Sequence, residues 1–158
     1  MPPSLSVTHF EVRQFSDLAR MLAGEVFHVT TPSVYGAILA AGAVEPNTVG
    51  RESPFGDTGS GFFRLRGCVS LFDYRAYGSA EWEEHAYKCL PTLPLRENFA
   101  IVVLLLHEDQ HAKLVPWNMW KEEEAWLHRV VPHVEAGYVG VLPLAAIKQV
   151  LQVSLALP

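Results

Sequence analysis

The clearest hydrophobic rhythm begins at Glu25. Glu25-Val26-Phe27-His28-Val29-Thr30 alternates with a period of two. It predicts a strand with Val26, His28 and Thr30 on one face and Phe27 and Val29 on the other. Thr31-Pro32-Ser33 then reads as a helix start, with threonine as the cap and proline at the first helical position; the helix runs to about Ala41, where Gly42 stops it. An earlier helix is predicted over Phe15 to Met21, capped by Ser16, with Leu18, Ala19 and Met21–Leu22 as its apolar stripe. Further strands are predicted over Gly67 to Tyr74, Phe99 to His107, Val134 to Tyr138 and Val150 to Ala156. The Phe99 to His107 segment is apolar on every side, the pattern of a strand buried on both faces. Ser79 to about Tyr87 is weakly helical, Glu108 to His111 is a turn and Ala112 to Val115 its return strand. Trp117 to His128 reads as a helix with an acidic patch at Glu122–Glu124, and Pro143 opens a last short helix. Asn47 to Gly61, rich in Gly, Ser, Pro and Asn, is too long for a mere connector. Short helices scattered among strands that are close in sequence suit an α+β fold with a split sheet, in one domain over residues 1–158.

Composition narrows this picture a little. With 158 residues, 49% of them apolar, the chain can bury a real core and is far from a disordered composition. A net charge of −5 argues against extended, non-specific contact with nucleic-acid backbones, though a small basic cleft around one nucleotide is compatible with it. Cys68 and Cys89 are too few for a disulfide framework and lack metal-ligand spacing, so they read as reduced thiols. The first residues show no basic stretch followed by an apolar one, and the longest apolar run, Phe99 to Leu106, is too short for a bilayer. The expectation is a cytoplasmic protein that does not enter a membrane.

Two segments hold the chemistry. The first is Phe27-His28-Val29-Thr30 with the helix that carries Ile38-Leu39 and ends at Gly42. The second is Pro132-His133-Val134-Glu135-Ala136-Gly137-Tyr138, followed by Val141-Leu142-Pro143-Leu144 and Ile147. The first resembles the opening of small NAD-dependent ADP-ribosyltransferases, a strand ending His-x-Thr before a helix ending Ile-Leu-x-x-Gly. The second resembles the stretch that carries the catalytic glutamate of that superfamily. The likeness is nearest to the DarT-type nucleic-acid ADP-ribosyltransferases. It covers both segments and, loosely, the strand at Val69 to Phe72, but not Ser79 to His128.

The resemblance implies an ADP-ribosyltransferase-like split sheet, NAD as ADP-ribose donor, Glu135 as catalytic carboxylate, and a cofactor site drawn from His28, Thr30, Gly42, Arg51, Ser70 and Phe72. It implies a macromolecular acceptor, nucleic acid or protein, and the setting of a toxin or phage-conflict effector with an antitoxin partner. Residue chemistry agrees with these roles. A strand imidazole offers one donor and one acceptor to a ribose hydroxyl or a carboxamide. A carboxylate beneath a ribose stabilises positive charge at the anomeric carbon and can deprotonate an incoming nucleophile. The resemblance further implies that Ser70 and Phe72, with Tyr74 beyond, match the middle-strand residues that pack against the nicotinamide, and Arg51, Arg64 and Arg66 compete for the diphosphate. One departure stands out: where that family often carries an asparagine early in the first helix, this chain has Val34, Tyr35 and Gly36. The whole expectation requires His28 and Glu135 to line one shared crevice.

His107-Glu108-Asp109-Gln110-His111 offers a rival chemistry, the His-Glu-x-x-His pattern of a zinc hydrolase. That pattern needs an α-helix to bring both imidazoles to one face. The apolar strand before it and Pro116 shortly after it predict a strand-turn-strand path, on which the two rings lose that spacing. The remaining alternative is a non-catalytic binding module. Trp82 and Tyr87 could flank a groove or belong to a partly buried helix, and Trp117, Met119 and Trp120 read as packing.

Overall fold

The computed structural model describes residues 5–47, 62–92, 94–95, 99–122 and 130–156. They form a mixed α/β arrangement around a seven-stranded sheet with short helices. The sheet strands are β1 (Val7–Val12), β2 (Val26–Thr30), β4 (Cys68–Asp73), β5 (Ile101–Leu106), β6 (Leu114–Val115), β7 (Glu135–Val139) and β9 (Ile147–Leu155). Their order is β1-β9-β5-β2-β4-β7-β6, and β3 (Ala43–Val44) pairs separately with β8 (Leu142–Pro143). All pairs are antiparallel except β1 with β9.

β5 lies between β2 and β9, and all six of its side chains are buried, as its unbroken apolar run requires. β2 behaves as its alternation predicts. Phe27 and Val29 enter one core with Leu18 and Leu22 of α1 (Phe15–Leu22) and Trp82 of α4 (Ala80–His85). Val26 enters the other core with Ile38 of α2 (Pro32–Ala41), Val44 and Leu142. The sheet is thus covered by α1 and α4 on one side and by α2 with the β3–β8 pair on the other.

Local chemistry sets the helix ends. Thr31 Oγ1 accepts from the Val34 N–H, Pro32 occupies the first turn, and Gly42 stops α2 at φ 81°, in the left-handed region that suits glycine. α1 starts differently from the expectation. Gln14 is its cap rather than Ser16, and the Asp17 carboxylate accepts from the backbone N–H groups of Arg13 and Gln14.

Several boundaries moved. The return strand is only Leu114–Val115, because Glu108–Lys113 winds as a 3-10 helix. The described part of the helix after Trp117 is α5 (Met119–Glu122); the remainder of that expectation, 123–129, lies outside the described residues. Pro143 ends a β-bridge and precedes a 3-10 turn, Leu144–Ala146, rather than opening an α-helix. β9 begins three residues early, at Ile147, which pairs with Leu106 across a bulge in the β5–β9 ladder, and Lys148 beside it is held by Glu25 at 2.8 Å and Glu108 at 2.5 Å. The expected loop from Asn47 to Gly61 lies almost wholly outside the described residues. Among the described residues no helix is long and apolar enough to cross a membrane.

Candidate functional site

Register decides which expected residues meet. Phe27 pairs with Phe72, and Phe72 pairs with Glu135, so all three side chains share one face of the sheet. His28 follows Phe27 and therefore points to the other face, with Val26 and Thr30. The shared crevice expected for His28 and Glu135 is not formed: the two groups project from opposite faces. Ser70 and Phe72 stand on the Glu135 face, whereas Thr30 stands with His28.

The remaining expected contacts scatter further. Ser70 reaches His28 only through its backbone, whose carbonyl accepts from the His28 Nδ1–H at 3.0 Å. That bond stands where the β2–β4 ladder stops, since β2 and β4 pair only at Val26–Asp73 and Phe27–Phe72. The imidazole thus ties two diverging strands together. Burial holds its pKa below the ordinary value, and the Ser70 carbonyl partly offsets that. Thr30 is buried at 4% exposure beside Val102. Gly42 lies a helix away from Thr31, about 15 Å at the usual rise, and its carbonyl accepts from Leu144 N–H, so it caps α2 rather than approaching His28. Arg64 and Arg66 lie near Cys68, at the end of β4 away from Phe72 and Glu135, with Arg66 4.6 Å over the Phe62 ring. Arg51 lies outside the described residues.

The Glu135 side of the sheet has a site of its own. Glu135 is partly buried at the start of β7, and its Oε2 accepts from the Val131 N–H at 2.7 Å. Burial pushes the carboxyl up to about 7, and the Val131 hydrogen bond offsets part of the shift. Cys89 lies close enough for the Glu135 charge to add to its burial, and its thiol is pushed up to about 12. A thiol that weakly acidic is not a nucleophile near neutral pH. Tyr74, fully buried, is raised above its ordinary value by burial first and then by Cys89 and Tyr77. The Tyr74 hydroxyl and Trp82 Nε1 are both buried without a hydrogen-bond partner among the described residues. Trp82 packs edge-on to Tyr74 at 4.8 Å between ring centres, and Phe27 stacks on Phe72 at 5.3 Å.

A ring stack borders this site. His133 lies 4.2 Å from Trp117 and 5.7 Å from His85, centre to centre. Lys88 Nζ donates to His85 Nδ1 at 2.6 Å, and Lys121 sits 5.4 Å over the Trp117 ring. Cys89, Trp82, His85, Trp117 and His133 carry no recognisable spacing, because they come from three chain segments. The one signal was local: His133 precedes Glu135 by two residues. Of the two aromatic candidates of the α4 region, Trp82 belongs to the core and Tyr87 is 70% exposed.

The His107 to His111 segment does not build the zinc geometry. His107 is extended and precedes the 3-10 turn that holds Glu108 and His111. A 3-10 turn has three residues per turn, so positions four apart diverge. Glu108 is engaged by Lys148, and Gln110 accepts from the Tyr138 hydroxyl at 3.1 Å. Among the described residues no group of three or more His, Cys, Asp or Glu side chains is gathered as a metal site requires.

Comparison with family models, with curated proteins and with solved structures gives no match to the chain.

Proposed function

We propose that the chain is an NAD-dependent, ADP-ribosyltransferase-like enzyme whose reacting group is Glu135 alone, with His28 as a tie between strands. The observation that carries this reading is the Glu135 carboxyl, partly buried across from Phe72 and near Cys89, pushed up to about 7 and held by one backbone N–H. Such a group is poised between its acid and base forms near neutral pH. The order of the two segments along the chain agrees with the resemblance, but the shared crevice that it required is not formed, so the reading rests on the Glu135 segment and not on His28.

The fit to NAD is partial. Glu135 suits the carboxylate role, but His28 cannot join it in one cleft, so no step is assigned to the imidazole. NAD would supply a ribosyl carbon that turns positive as nicotinamide leaves. A cation there favours the ionised form of Glu135, and Val131 N–H fixes one of the carboxylate oxygens. The acceptor belongs to the same proposal: a macromolecule, nucleic acid or protein, in the cytoplasm, with an antitoxin partner if the chain is a toxin.

A second reading, a non-catalytic binding module, is favoured by one observation, the separation of His28 and Glu135 onto opposite faces. One experiment separates the two. Purified protein is incubated with labelled NAD and a panel of DNA, RNA and protein acceptors, with Glu135→Gln as control. The enzyme reading expects nicotinamide release and label transfer that Glu135→Gln abolishes while its melting temperature at pH 4 stays that of the parent. Full activity in Glu135→Gln, or no NAD consumption and no protection by NAD against heat, overturns it.

A further inference from the structure

The turn ahead of Glu135 contains an unusual backbone. His133 has φ 63°, and it is the only non-glycine residue with a positive φ among the described residues. Histidine enters the left-handed region more readily than β-branched residues do, but still at a cost in strain, so surrounding contacts must hold it there. The contacts are ring contacts: the Trp117 ring lies 4.2 Å from the imidazole, centre to centre and tilted by 42°, and the His85 ring stacks on it at 5.7 Å. The chain around it is anchored at both ends. Val134 N–H and Glu135 N–H both donate to the Val131 carbonyl, at 3.3 and 3.1 Å, and Asp73 N–H donates to the Val134 carbonyl at 2.6 Å. These bonds close the turn, and the closed turn aims the Val131 N–H at Glu135 Oε2.

We infer that His133 is a positioning residue: its left-handed backbone, held by the packing of its ring against His85 and Trp117, keeps the 131–134 turn closed and so fixes the orientation and proton affinity of the Glu135 carboxyl. The inference deepens the proposed role of Glu135, but it concerns the geometry of the carboxyl and stands whether or not NAD is its substrate. Its direction follows from the chemistry. A hydrogen bond donated to a carboxylate favours the ionised form. An opened turn withdraws that bond, and the carboxyl then holds its proton to higher pH.

The test is a carbon-13 NMR titration of the Glu135 side chain in the full chain, read in the parent, His133→Ala, His133→Asn and Trp117→Leu. The parent should titrate at about 7. His133→Ala removes the packed ring and disfavours the left-handed backbone, so its midpoint should rise by roughly one pH unit. His133→Asn, which tolerates that backbone, should rise less. Trp117→Leu leaves the 131–134 sequence intact and removes only one of the two ring contacts, so it should shift the same way by a smaller amount. It also keeps the test alive if His133→Ala fails to fold. Folded variants with the parent's midpoint overturn the inference: His133 would then support the fold and nothing more. Labelled-NAD transfer is measured separately, so its absence would remove the enzymatic reading without touching the shift.

Discussion

Glu135 stands directly across the β4–β7 ladder from Phe72, and that pairing places its carboxyl on the face that His28 turns away from. Glu135 and His28 are thus separated by the thickness of the sheet. Each therefore answers to its own core, and their responses to pH should be independent.

Glu135→Gln should reveal the first response. The folded carboxyl is raised to about 7 from an ordinary value of 4.5. The folded state therefore binds the proton more tightly than the unfolded state does. The stability linked to this proton is fully present below pH 4.5 and is lost as pH rises through about 7. Glutamine imitates the neutral acid, so the variant should match the parent near pH 4 and exceed it by about 3 kcal/mol at pH 9. Urea unfolding at the two pH values measures this, and a variant no more stable than the parent at pH 9 would sink the buried-carboxyl account.

His28→Ala should show the opposite limb. Burial lowers the folded pKa of His28, so the unfolded state takes the proton more readily, and stability is lost as pH falls below the ordinary value of 6.5. Removing the ring should cost about 1 kcal/mol at pH 8 through the lost bond to the Ser70 carbonyl. It should also flatten the loss of stability on the acid side. The Glu135 midpoint should not move; a displaced midpoint in His28→Ala would mean that the two groups communicate across the sheet.

Gly137→Ala tests the floor beneath the site. A Cβ at Gly137 would collide with the Phe63 ring and lie 3.1 Å from Cys68 Cβ. The substitution should destabilise the fold by roughly 1–3 kcal/mol, and Phe63→Leu in the same chain should recover part of that. Equal melting temperatures for Gly137→Ala and the parent would contradict the packing of α3 (Phe62–Leu65) against β7.

The His107 to His111 segment yields a metal prediction. Because its 3-10 path separates the two imidazoles, one equivalent of zinc should leave the melting temperature unchanged, and a chelator should do the same. A rise of several degrees with zinc that His107→Ala and His111→Ala each abolish would restore the hydrolase.

Legibility in the sequence followed the locality of the forces. α2 was readable to the residue, because its threonine cap, proline and terminal glycine act within a few positions. β2 and β5 were readable from alternation and from an unbroken apolar run. β1 was missed: Val7, Thr8, His9 and Glu11 are exposed on an edge strand, which leaves almost no apolar period to detect. The facing of His28 followed from β2 alone. The facing of Glu135 did not, since it depends on which β4 residue lies opposite it, and a slip of one position would reverse it. The ring stack is assembled from distant segments and leaves no periodic trace.

The parallel seam between β1 and β9, where Val7 lies beside Val150, has a consequence for how the molecule is made. An early strand must wait for a late one, and that late strand also supplies the neighbour of β5 on its open side. During synthesis the central apolar ribbon thus stays uncovered along one border until β9 has emerged, and it is during this interval that aggregation threatens most.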